Sequence, residues 1–130
     1  MATKKRVFIS FDFDHDEDVK TMLAGQAKLP DSPFDFTDAS VKDNLTGDWK
    51  DKVRRRMDNI DEVIVLCGEY THNASGVAAE LVIAQDKEKS YFLLKAYADK
   101  SCTKPTSAKS DDKVYNWTWD NLKKLIAGGR

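Results

Sequence analysis

Glu80 is the residue of this chain best placed to do chemistry. It lies in the stretch Thr71-His72-Asn73-Ala74-Ser75-Gly76-Val77-Ala78-Ala79-Glu80-Leu81-Val82-Ile83-Ala84, where one carboxylate interrupts a largely apolar helical pattern. Just upstream runs Val63-Ile64-Val65-Leu66-Cys67. A continuous apolar run of that length reads as a strand buried on both sides, as in a parallel sheet. Parallel α/β sheets take their ligands at the carboxyl ends of the strands. A carboxylate on the first turns of the helix leaving such a strand therefore points at the usual ligand crevice. The competing reading is plainer. Val77, Leu81 and Ala84 recur at helical spacing as an inward stripe, and Glu80 on its edge is then an ordinary solvated side chain.

The elements that must position this residue can be read along the chain. Arg6-Val7-Phe8-Ile9-Ser10-Phe11 is apolar and β-branched, the pattern of a first strand. Asp12 to His15 form a polar turn at its carboxyl end, and Asp16-Glu17-Asp18 supply the carboxylates that favour a helix N-terminus. Val19, Met22, Leu23 and Gln26 continue that helix until Leu29-Pro30, and Pro30 and Pro33 bracket a loop. Phe34-Asp35-Phe36-Thr37 alternates as a short edge strand, and Asp38 to Thr46 is polar and irregular. A helix marked by Trp49, Val53, Met57 and Ile60, with Asp48 as its cap, precedes the Val63–Cys67 strand. The Glu80 helix runs to about Lys87, and Tyr91-Phe92-Leu93-Leu94 is a further strand. Ala96 to Lys113 is polar and reads as a long surface excursion, either mobile or ordered on assembly. Trp117, Trp119, Leu122, Leu125 and Ile126 mark a last helix, ended by Gly128-Gly129.

Strand and helix alternate throughout, which implies an α/β fold with a parallel sheet and right-handed crossovers. The expectation is a flavodoxin-like, three-layer α/β/α domain over residues 1–130, with four or five strands in the order 2-1-3-4(-5). Ser10, Phe11, Asp12 and His15 then lie at the mouth beside the Glu80 helix. His15 can titrate near neutral pH, and the backbone N–H groups of His72 and Asn73 can meet an anion at the helix start.

Composition narrows the function classes. Charged residues make up 33% and the formal net charge is -1, so nothing attracts the chain as a whole to nucleic acid or an anionic membrane. Arg54-Arg55-Arg56 is a local basic run on a predicted helix, most simply a solvated face. No apolar run reaches the length of a membrane span, and Met1-Ala2-Thr3-Lys4-Lys5 lacks the apolar segment of a signal peptide. Cys67 and Cys102 do not form a metal-ligand spacing, and a cytoplasmic protein with reduced thiols is the expectation.

Taken in order, these segments resemble a known family. Val7-Phe8-Ile9-Ser10-Phe11 followed by acidic residues is similar to the first strand of TIR and TIR-like domains. Asn59-Ile60-Asp61-Glu62-Val63-Ile64-Val65-Leu66-Cys67-Gly68 is similar to their strand before the third helix. Thr71-His72 and Val77 to Ala84 resemble the start of that helix and its glutamate. The likeness covers nearly the whole chain and is closer to the bacterial Thoeris-type TIR-like proteins than to animal receptor TIR domains. The family helix often opens Ser-x-Trp before its glutamate. With Glu80 aligned, Ala74 falls at the serine place, Gly76 at the tryptophan place, and Ser75 one residue after the serine place.

The resemblance implies two functions of different class. Catalytic TIR domains cleave the bond between nicotinamide and ribose in NAD, taking NAD as substrate without a further cofactor or metal. On that reading Glu80 is catalytic and Phe11 stacks on a base or nicotinamide, although a strand-terminal Phe is as often core and an Asp before a helix, such as Asp12, as often a cap or turn residue. Asp12 holds a ribose hydroxyl, and Ser10, His15, His72, Asn73 and Ser75 line the substrate. The product, linear or cyclic ADP-ribose, acts on a downstream effector in antiphage defence, and self-association completes the site. The alternative is a TIR-like module that binds protein partners and catalyses nothing. Other α/β chemistries fit less well. A receiver domain needs an aspartate where this strand ends Leu66-Cys67-Gly68-Glu69, and a flavodoxin phosphate loop would not read Asp12-Phe13-Asp14-His15. A Rossmann site fails for lack of its glycine fingerprint. Nucleoside deoxyribosyltransferases, which join a similar fold to a glutamate, remain a minor enzyme alternative.

Overall fold

The computed structural model describes residues 5–12, 15–30, 32, 34–36 and 49–127, with the side chains of Glu17, Asp35, Phe36, Trp49 and Lys50 left aside. Expectations that fall on Thr37, Asp38 to Thr46, Asp48, Pro33 and Gly128-Gly129 lie outside the described residues. Five strands form one parallel sheet: β1 Lys5–Ser10, β2 Phe34–Phe36, β3 Glu62–Cys67, β4 Ser90–Lys95 and β5 Val114–Tyr115. Their order is β2-β1-β3-β4-β5. Among the described residues four α-helices accompany them: α1 Glu17–Gln26, α2 Trp49–Met57, α3 Ser75–Asp86 and α4 Trp119–Ile126. The fold class and strand order agree with the sequence-based expectation.

Side-chain alternation divides the core between the two faces of the sheet. Val7, Ile9 and Phe11 join Ile64, Leu66, Phe92 and Leu94 beneath Val19 and Leu23 of α1 and Leu122, Leu125 and Ile126 of α4. Phe8, Val63, Val65, Cys67 and Leu93 pack on the other face against Val53 and Met57 of α2 and Val77, Leu81, Ile83 and Ala84 of α3. All six residues of β3 are buried, as expected for a central strand covered on both sides. Among the described residues no helix is long and apolar enough to cross a membrane.

One expectation fails. The segment after β4 is not a free excursion. It leads into the edge strand β5, which begins just after it, and Pro105 within it is buried. Ser107 Oγ donates to the Ala78 carbonyl at 2.8 Å, and Gln85 Nε2 to the Ser107 carbonyl at 3.1 Å. Tyr91 Oη donates to Asp112 Oδ2 at 2.7 Å, while Lys104 Nζ caps the Asp112 carbonyl at 2.9 Å. Polar residues in this segment tie it to α3 and β4, so its composition reflects hydrogen bonding to the body as well as exposure to water.

Candidate active site

The strand order reverses direction between β1 and β3, where adjacent crossovers leave on opposite faces, the place at which sheets of this kind take their ligands in a crevice at the carboxyl ends. Glu80 and Ser10 meet beside that switch point. Ser10 closes β1 and shares Phe8's face by the two-residue period, so its hydroxyl points toward α3. Its Oγ donates to Glu80 Oε1 at 2.7 Å. Glu80 is only 5% exposed and Ser10 is fully buried, which corrects the solvated-edge reading of this glutamate. Burial removes water from the carboxylate and pushes its pKa up to about 8, against the smaller opposing effect of the Ser10 hydrogen bond.

Gly76 lies one helical turn before Glu80, hence on the same side of α3. A Cβ built there would meet nothing within 4 Å. The helix start beside the glutamate is therefore open where a bulky side chain would crowd it. Ser75, exposed at the first position of α3, is turned well away from Glu80 by the helical period.

Phe11 is a correction. It follows Ser10 in the chain and so faces the opposite side of the sheet, where it is 3% exposed among Val19, Leu23 and Leu66. A ring packed there does not offer a stacking surface to a ligand beside Glu80. His72 and Asn73 are corrected too. They belong to a short 3-10 turn, Thr71–Asn73, and their backbone N–H groups already have acceptors: Thr103 Oγ1 at 3.0 Å and the Tyr70 carbonyl at 2.9 Å. The His72 ring also contacts Thr103 Oγ1, at 2.9 Å.

Asp12 and His15 do come together at the mouth. Asp12 is buried, and its Oδ2 lies 2.7 Å from His15 Nδ1. The exposed imidazole sits over Tyr70, with 4.3 Å between ring centroids. Next to them is a residue first read as a helix cap. Asp16 precedes α1 but makes no side-chain capping bond. It is 1% exposed, and its Oδ1 accepts from Tyr97 Oη at 3.1 Å. Burial, opposed by that hydrogen bond, raises its pKa. The carboxylate lies directly over Gly68, where an added Cβ would fall 2.4 Å from Asp16 Oδ2. Gly68 also donates its N–H to the buried Thr71 Oγ1 at 2.7 Å, closing the turn that leaves β3. Helix-start composition disguised Asp16; the signal available was the glycine directly after a buried strand, which marks a close approach.

The chain matches the family described as Thoeris protein ThsB, TIR-like domain, over residues 8–103. It belongs to that family. The match runs from within β1, through the Glu80 helix, to the Thr103 contact with the 3-10 turn. No curated protein matches the chain. Family membership places this fold among TIR-like domains of antiphage defence signalling.

Proposed function

We propose that this TIR-like domain cleaves or cyclises NAD to produce an ADP-ribose-type signal, with Glu80 as its catalytic residue. The observation that carries the reading is the buried Glu80–Ser10 pair at the switch point, beside the open face at Gly76. Cleavage breaks the bond between the ribose C1′ and the nicotinamide nitrogen. The bonding electrons go to the pyridinium, which leaves as neutral nicotinamide, and positive charge develops on the ribose. An ionised carboxylate beside that sugar stabilises the charge, much as in glycoside hydrolysis. Water then captures the ribose to give ADP-ribose, or an atom of the same molecule captures it to give a cyclic product.

Burial has a use here. With its pKa near 8, the free carboxyl is mostly protonated at pH 7. A cationic substrate favours the ionised form and lowers that pKa, so charge is exposed chiefly to the ligand that matches it. Ser10 fixes the orientation of Oε1. Asp12 and His15 are the polar groups available to hold ribose hydroxyls. No metal or further cofactor is needed for this step. Localisation to the cytoplasm, self-association that completes the site, and a downstream effector responding to the product belong to the same reading.

The second reading is a non-catalytic interaction module. Gly76 in place of a bulky pocket residue, and the internal satisfaction of the His72 and Asn73 N–H groups, favour it. Incubation of concentrated protein with NAD, followed by chromatography, separates the two. Release of nicotinamide with ADP-ribose or its cyclic form supports the enzyme. No turnover at any protein concentration, with the defence trigger present, leaves the interaction module.

A further inference from the structure

A second cavity, of about 540 Å³, opens at the carboxyl ends of β4 and β5. Lys95, Asp99, Lys100, Ser101, Cys102 and Asn116 are among the residues that line it. Its size lies in the range of small-molecule sites. Lys95 is the last residue of β4 and is half-buried. Among the described residues no carboxylate lies within ion-pair distance of it. A half-buried lysine that lines a polar cavity, with no ion-pair partner among the described residues, is an incomplete anion site even with Asp99 elsewhere on the lining. Lys100 adds a second positive charge from the rim, 3.6 Å from Glu69 Oε1 and over the Tyr97 ring at 4.4 Å.

The cavity adjoins the Glu80 crevice. Thr103, next to the lining residue Cys102, bonds both the Gly68 carbonyl and the turn at His72. Tyr97 separates the two sides of the mouth: its hydroxyl faces Asp16 and Asp18, and its ring carries Lys100. Asp12, Asp16 and Asp18 thus lie toward β1, while Lys95 and Lys100, with Asp99 among them, lie toward β4 and β5. In register, Ser10 pairs with Val65 and Cys67 with Lys95, so Lys95 lies two strands across and two residues along from Ser10. Standard sheet spacings make that about 12 Å between Cα atoms. NAD has the same polarity, a pyridinium cation on one ribose and a doubly negative pyrophosphate beyond it.

We propose that this cavity seats the pyrophosphate of the dinucleotide, with Lys95 as its principal contact and Lys100 as its second. The assignment rests on the NAD reading of the Glu80 site, and it orients the substrate with nicotinamide toward β1 and phosphates toward β4.

Titration of the full chain with inorganic pyrophosphate, followed by NMR of backbone amides, tests the subsite without any turnover. The expected result is saturable shifts at Lys95, Ser101 and Asn116. Lys95→Ala weakens binding at least tenfold, Lys95→Arg restores most of it, and Lys87→Ala on the far side of α3 changes nothing. Glu80→Gln leaves pyrophosphate binding intact. In an active protein, Lys95→Ala raises KM for NAD at least fivefold with a smaller change in kcat. Lys95-dependent pyrophosphate binding without NAD turnover keeps the anion subsite and removes the NAD reading. NAD turnover with an unchanged KM in Lys95→Ala, and pyrophosphate shifts that map elsewhere or nowhere, overturns the subsite and leaves the Glu80 reading standing.

Discussion

Among the described residues two glutamates are buried, each beside a serine hydroxyl, at opposite ends of the same sheet. Glu62 opens β3 and accepts from Ser90 Oγ at 3.2 Å across the β3–β4 register. Glu80 sits beyond the far ends of the strands and accepts from Ser10 Oγ at 2.7 Å. Burial and a serine partner are common to both, so neither marks a site. The difference is what lies next to each. Glu62 is enclosed by neighbouring strands at the amino end of the sheet. Glu80 borders the switch-point crevice, an open helix face at Gly76 and the polar mouth of Asp12 and His15. A buried acid becomes a candidate for catalysis through its access to a ligand, not through its burial.

The largest effect that tests this contrast is on turnover. Glu80→Gln keeps size and removes charge, and should lower NAD cleavage by about a hundredfold or more. Glu62→Gln should leave kcat within about twofold, whatever it does to stability. Equal losses in the two variants, measured by nicotinamide release, would erase the distinction between the two ends.

Next in size is pH dependence. If the ionised Glu80 is the active form, kcat/KM should climb about tenfold per unit as pH rises toward 8, then level off. The Ser10 hydrogen bond lowers the Glu80 pKa. Ser10→Ala should therefore move the inflection upward. A profile flat between pH 6 and 9 would sink the assignment.

Stability gives a smaller and opposite signature. Glu80 holds its proton more tightly in the folded chain, near pKa 8, than in the unfolded chain, near 4.5. Between those values the native state binds more protons, so this group's contribution is fully present below pH 4.5 and is lost as pH rises through 8. Wild type should lose stability relative to Glu80→Gln across that window, read as diverging denaturant midpoints. Parallel midpoints from pH 5 to 9 would show that the carboxyl is solvated in solution.

The smallest effect concerns crowding at the carboxyl end. Gly68→Ala must displace the Asp16 carboxylate and should cost about 1–3 kcal/mol. Asp16→Ala in the same chain should return part of it, and strictly additive losses in thermal denaturation would show that the two residues do not press on each other.

Much of the fold was legible because apolar runs and their periods encode it. Val63 to Cys67 announced a central strand, and the inward stripe of Val77, Leu81 and Ala84 holds in the structure. Glu80 was found by topology, yet its burial was not, because edge positions on a helix are decided by what packs over them. Phe11 shows the cost of reading proximity without parity: one step along a strand moved it to the opposite face. The segment from Ala96 to Lys113 misled because polar side chains that bond to a neighbouring helix have the same composition as those that bond to water. Asp16 was hidden for a similar reason, since helix starts favour acids whether or not they cap.

The close approach of Asp16 to Gly68 also constrains how such a sequence can drift. A side chain gained at 68 while the carboxylate occupies that space carries a cost in stability, and once the acid at 16 is shortened, alanine or serine at 68 no longer carries it. The order acid first and glycine second is thus the less costly one. The history of one position is read best alongside the other.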